Sequence, residues 1–217
     1  MTTPSPPAFS RPYADEATNT IYELLFCDNI ALFDPEATAS SAYPWNILFS
    51  PAPEAADLQK IVFDETVESR VKLLACAALR KLNQPIEEKE LLGVIVEVGL
   101  DEGLDVLASY QDGSARYINY TGKMILWDVP DKGSAEMTAQ IFRDSLNIVH
   151  RIGPWTEPRR SHPSKGIVRI SFLVSDGLYF GEGPVNVLFN DELAAPALSS
   201  CTGMMQYLTE KVEKTQI

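Results

Sequence analysis

Histidine and cysteine are scarce in this chain, and each scarcity removes a class of chemistry. Cys27, Cys76 and Cys201 are an odd number at wide spacings, which builds neither a disulfide framework nor a cysteine zinc site. His150 and His162 are the only histidines, too few for a histidine-rich metal centre; carboxylates around a hard cation would be the one metal chemistry left. No cofactor and no metal are therefore expected, and the thiol usage fits a reducing, cytoplasmic setting.

Basic residues and long apolar runs are also in short supply. Lys and Arg number 18 against 30 Asp and Glu, a formal net charge of −12, which repels a phosphate backbone over most of the surface and argues against nucleic acid as a partner. No segment approaches the ~20 apolar residues that span a bilayer. The opening "MTTPSPPAFSRPYADEATNT" has neither a basic region nor an apolar one of the kind that directs export. The reading is a soluble protein with no membrane partner.

Motifs of useful specificity are missing too. "GEGP" at 181–184 lacks both the G-x-G-x-x-G pattern and a following Lys with Ser or Thr, so it is no phosphate cradle. "DEGLD" at 101–105 lacks the alternate-position oxygen ligands of a calcium loop and reads as a solvated turn. Cys201 in "SSCTG" would be activated only at a helix start beside a base, and a lone cysteine is more often a small apolar filler. No catalytic residue is assigned.

What is present is a domain-forming composition. With 45% hydrophobic residues over 217 positions, one core can bury roughly 70% of the unfolded chain's surface. Residues 1–13, rich in Pro, Ser and Thr, are read as a loose arm and 14–217 as one globular domain. Helical spacing marks 15–26, with Ala17, Ile21, Leu24 and Leu25, and more clearly 64–85, with Val67, Val71, Leu74, Ala78 and Leu82. The intervening prolines 35, 44, 51 and 53 predict a long loop up to Asp57. From Leu92 the period falls to two, and the chain enters a sheet.

"YQDGSARYINYTGKMILWD", residues 110–128, carries two turn signals. Two-residue turns at Asp112-Gly113 and Thr121-Gly122 would place Gln111 opposite Ser114 and Tyr120 opposite Lys123. That register gives a core face with Val106, Ala108, Tyr110, Ala115, Tyr117, Met124 and Leu126. The other face mixes polar groups with an apolar row of Leu107, Ile118 and Ile125, and sets Arg116 between Ser109 and Trp127. Arg116, Tyr120 and Trp127 are thus one candidate contact surface, unless another part of the chain covers them. A sheet face left uncovered would also suit a homodimer.

A helix follows over 131–151 with Ser134 as its expected N-cap. Strands are then expected at "GIVRISFLVSD" and "GPVNVLFN", joined by a glycine-bearing connection, with a small-residue helix from about Asp191 at the end. The order predicts an α+β fold with a mainly antiparallel sheet of about six strands: a meander at 91–128, then two strands at 166–190, with helices packed on it. Between them, "HRIGPWTEPRRSHPSKG" at 150–166 concentrates positive charge in an acidic chain. Trp155 with Arg159, Arg160 and His162 has the composition of an interaction hot spot. The plainer account is that Trp155 anchors the loop and the arginines pair with surface carboxylates. The leading expectation is a binding or interaction protein for an acidic protein or small anionic ligand. Two alternatives stand beside it: a small-molecule enzyme with dispersed catalytic residues, and an acidic inhibitor or immunity-type protein steered to a basic target.

Overall fold

The computed structural model describes residues 11–33, 42–86 and 88–215. Most of the expected arm lies outside them. Its last residue, Tyr13, is buried, and its hydroxyl donates to the Leu104 carbonyl at 2.8 Å, so the packed chain begins before residue 14.

The fold is α+β. Six strands, β1 (Leu91–Gly99), β2 (Leu104–Tyr110), β3 (Ala115–Ile118), β4 (Met124–Trp127), β5 (Ile167–Val174) and β6 (Gly177–Pro184), form one sheet in the order β4-β3-β2-β1-β5-β6. Every neighbouring pair is antiparallel. Among the described residues the helices are α1 (Glu16–Leu24), α2 (Trp45–Leu48), α3 (Ala55–Phe63), α4 (Ser69–Lys81), α5 (Lys132–Val149), α6 (Val185–Leu188) and α7 (Ala194–Thr215).

Two cores flank the sheet. One joins Tyr22 of α1, Leu58 and Ile61 of α3, and Val71 and Leu74 of α4 to Ile95, Val106, Tyr110 and Ile118 of the sheet. The other joins Ile141 and Ile148 of α5, and Leu198, Met204 and Leu208 of α7, to Val94, Val96, Leu107, Ile170 and Phe172. A strand with apolar layers on both sides reads as a nearly continuous hydrophobic run. Both β1 and β5 fit that description.

Local chemistry explains where the elements begin. Asp15 caps α1, accepting from Thr18 N at 2.8 Å. For α5 the cap is Asp131, not the expected Ser134. Asp131 accepts from Ser134 N, and Ser134 Oγ accepts from Asp131 N, each at 2.9 Å, the reciprocal pairing of a capping box.

Three further expectations are corrected. The proline-rich stretch assigned to loop contains α2 and the start of α3, whose Leu58 and Ile61 are fully buried. The strand expected at "GPVNVLFN" is the single turn α6, and the glycine-bearing connection before it is β6 itself, where Gly181 and Gly183 pair with Ile170 and Val168. The third correction is the meander register. Tyr110 N donates to Ser114 O and Asn119 N to Lys123 O, both at 2.9 Å, so each turn holds three residues rather than two. Only Gly113 and Gly122 take positive φ there, +86° and +84°, which matches a type I turn closed by a left-handed glycine. Each turn shifts the register by one. The two shifts cancel at β4, and β3 alone is turned over, with Arg116 beside Ala108 and Leu126 while Tyr117 joins Leu107 and Ile125.

Candidate functional site

With β3 turned over, the expected surface of Arg116, Tyr120 and Trp127 separates into three places. Arg116, 9% exposed, lies on the sheet face of Val106 and Tyr110. Its Nη1 donates to the Ala115 carbonyl at 2.8 Å and its Nη2 pairs with Asp128. Trp127 lies on the opposite face under the helices, where its indole donates to Ser134 Oγ at 3.1 Å and meets Tyr207 edge-on. Tyr120 stands in the second turn, 45% exposed, with its N–H donating to Asp105. The sheet face that the sequence left as a candidate contact surface is covered by α5 and α7.

The loop at 150–166 does assemble its candidates. It crosses the far end of the sheet as a strap over β5 and β6, on the side of the sheet that α1 also covers. Trp155 N donates to Leu178 O at 2.7 Å and its indole to Pro158 O at 3.1 Å, while the ring meets Phe180 edge-on at 5.1 Å. Arg159 reaches α1 and the turn after it: Nε donates to Asp28 at 2.9 Å, Nη2 pairs with Glu23, and the guanidinium lies over Phe26, 3.8 Å from the ring centre. Burial opposes its charge, but Asp28 and Glu23 outweigh that and raise its pKa. Gly99 permits the strap's approach, because a Cβ there would sit 2.1 Å from the Ser164 carbonyl oxygen.

Under the strap runs a row of charge that the sequence did not single out. Glu97, Arg169 and Glu182 oppose one another across β1, β5 and β6. Glu97 is completely buried, and Tyr22 donates to its Oε1 at 2.6 Å. Its Oε2 accepts no hydrogen bond and lies 3.6 Å from Arg169 Nη1. Burial raises the Glu97 pKa, with Arg169 and the Tyr22 hydroxyl acting against it. Arg169 donates through Nε to Glu182 at 2.7 Å and through Nη2 to the Ser161 carbonyl at 2.8 Å, tying the strap to the sheet. Alternation in "GIVRISFLVSD" places Arg169 on a strand, but the glycines around Glu182 mark a connection, so the pairing of the two is legible only once β6 is known.

Arg160 is bound differently. Its guanidinium lies over Trp155 and Phe180, at 4.8 and 5.3 Å from the ring centres, and its side chain is 51% exposed. Its Nη1 is 3.6 Å from Glu182 Oε1, too long for a hydrogen bond. Arg160, Ser161, His162, Ser164, Arg169 and Glu182 line an open cleft of about 520 Å³. A second cleft of about 500 Å³ lies between the β2–β3 turn and α5. Its polar rim is already paired with itself and with α4: Gln111 donates to Glu90, and Asp112 accepts from Ser69 and Ser114. The thiols offer no nucleophile, since burial pushes Cys201 and Cys27 up to about 12 and Cys76 to about 11. No group of three or more metal-ligating side chains occurs among the described residues, nor does a helix long and apolar enough to cross a membrane.

Comparison of the chain with protein-family models and with curated proteins finds no match.

Proposed function

We propose that this is a binding protein whose ligand or partner presents an anionic group to the strap at Arg160 and His162. The carrying observation is the contrast among the three arginines of this corner. Arg159 and Arg169 are nearly enclosed and hydrogen-bonded to carboxylates, whereas Arg160 rests on two aromatic rings, is half exposed, and makes no hydrogen bond to Glu182. A guanidinium placed over aromatic rings keeps its fork of donors free for a ligand, which suits carboxylate or phosphate recognition. Trp155 and Phe180 supply that support, and the shallow cleft supplies access.

The test is a titration with inorganic phosphate and with acetate, followed through the indole N–H signal of Trp155. A saturable shift in the native chain, lost in Arg160→Gln and kept in the surface control Lys132→Gln, is expected. An equal response in Arg160→Gln would sink this assignment.

A further inference from the structure

The carboxylate beside Arg160 narrows the class of ligand. Arg169 engages Glu182 through Oε2 alone, using both Nε and Nη2, and leaves Oε1 unbonded by it. The other oxygen, Oε1, faces Arg160 at 3.6 Å without a hydrogen bond, and the Glu182 side chain keeps a quarter of its surface exposed. The cleft therefore shows a cation and an anion side by side, each with unused hydrogen-bonding capacity. A simple anion would meet the attraction of Arg160 and the repulsion of Glu182 at nearly the same distance. A ligand carrying both charges on adjoining groups meets two attractions instead.

We infer that the ligand is a zwitterion of the α-amino-acid type, its carboxylate taken by Arg160 and its ammonium by Glu182 Oε1. This inference rests on the anion-binding reading of the same cleft. In an α-amino acid one carbon bears both charged groups, so their spacing is short like that of the Arg160–Glu182 pair. His162 and Ser164, also lining the cleft, are the additional polar groups within it, while Pro163 and Ile167 form its apolar part. The side chain of the ligand is accommodated in the remaining open volume of this cleft.

Three matched probes test the idea on the full chain at neutral pH: an equimolar mixture of the common L-amino acids, the same mixture N-acetylated, and the same mixture as methyl esters. Acetylation removes the ammonium and esterification removes the carboxylate. The free mixture should shift the Trp155 indole signal saturably, with either blocked mixture weaker by about tenfold or more, a difference of about 1.4 kcal/mol. Arg160→Gln should abolish the response to the free mixture. Glu182→Gln should erase the preference for free over N-acetylated ligands. Because Glu182 also holds Arg169, the N-acetylated arm on the unmodified chain serves where that variant fails to fold. If the N-acetylated mixture binds as well as the free one, or if only phosphate and acetate bind, the zwitterion is wrong and the anion reading stands. If no mixture binds and phosphate and acetate also fail, both are wrong.

Discussion

Removing the charge of Arg159 should loosen the strap more than removing that of Arg160, although both arginines belong to the same basic run. Arg159→Met keeps an apolar side chain at this position and loses the guanidinium that lies over Phe26 and holds Glu23 and Asp28, from a side chain 6% exposed. Breaking an enclosed ion pair by deleting one partner costs about 3 to 5 kcal/mol, because the other charge is left buried. Here the remaining carboxylates are partly wet: Glu23 is 16% exposed and Asp28 42%. Water therefore recovers part of the loss, and the expected cost is about 2 to 3 kcal/mol. For a chain of this size that lowers Tm by roughly 4 to 12 °C. Arg160→Met, by contrast, removes a half-exposed pair and should cost under about 1 kcal/mol. Urea unfolding gives the two stabilities, and native-state hydrogen exchange at the Trp155 amide, which donates to Leu178, reports opening of the strap itself. Equal, small effects for both variants, with the Trp155 amide still protected, would show that apolar contact alone holds the strap.

Other outcomes follow from the same structure. Gly113→Ala should destabilise by about 1 to 2 kcal/mol, because it forces an L-residue to the +86° φ of the first meander turn and sets a Cβ 2.9 Å from Pro130; unchanged urea midpoints would contradict the three-residue turn. Glu97 has its pKa raised in the folded state, so the native form binds more protons than the unfolded one above the ordinary glutamate value. The wild type should therefore lose stability relative to Glu97→Gln as pH climbs from that value through the raised folded pKa, and a pH-independent difference between the two would refute the burial argument. Iodoacetamide at neutral pH should leave Cys27, Cys76 and Cys201 almost unmodified in the native chain and label all three in denaturant, given thiols held at about 11 to 12. Native labelling of Cys201 at the rate of a free thiol would reopen the nucleophile question.

The parts of the fold legible in the sequence are those where local period and burial agree. Helix α4 is legible because its apolar residues recur at helical spacing, Val71, Leu74 and Leu79 all being buried, and β5 shows alternation because Arg169 and Ser171 interrupt an apolar run. Legibility fails where one residue decides a side. Two turn signals, Asp112-Gly113 and Thr121-Gly122, are compatible with two-residue and three-residue turns, and the choice depends on whether the residue before glycine takes positive φ. In both turns it does not. The single-residue difference turns β3 over and puts Arg116 on the face opposite the Trp127 indole, where its Nη1 reaches only the Trp127 carbonyl, at 3.3 Å. Strand β1 hides a similar step, since an irregularity between Leu91 and Gly93 shifts the register at its start. Strand β6 is not legible because glycines fill three of its positions that pair with β5, 177, 181 and 183, and no β-branched side chain marks it.

The strap shows why a count of arginines in a loop is a poor measure of its affinity for anions. In a chain with a formal net charge of −12, carboxylates from elsewhere in the fold reach loop cations readily, and the most enclosed cations gain most from them. Arg159 and Arg169 are held in that way, by Glu23 and Asp28 in one case and by Glu97 and Glu182 in the other. Their positive charge is neutralised where it stands, and what they contribute is position: Arg159 draws the strap to α1, and Arg169 anchors its backbone at Ser161. Arg160 is supported by aromatic faces, which orient a guanidinium without occupying its hydrogen-bond donors. The two buried arginines thus hold in place the third that remains available. It follows that Arg159→Met should weaken anion binding only as far as it lets the strap open, so raising the protein's stability by an independent substitution should restore that binding. Arg160→Gln should not be rescued in this way, because the donors themselves are gone. Failure of rescue in Arg159→Met would mean that Arg159 touches the ligand directly, and the division of labour among these arginines would have to be redrawn.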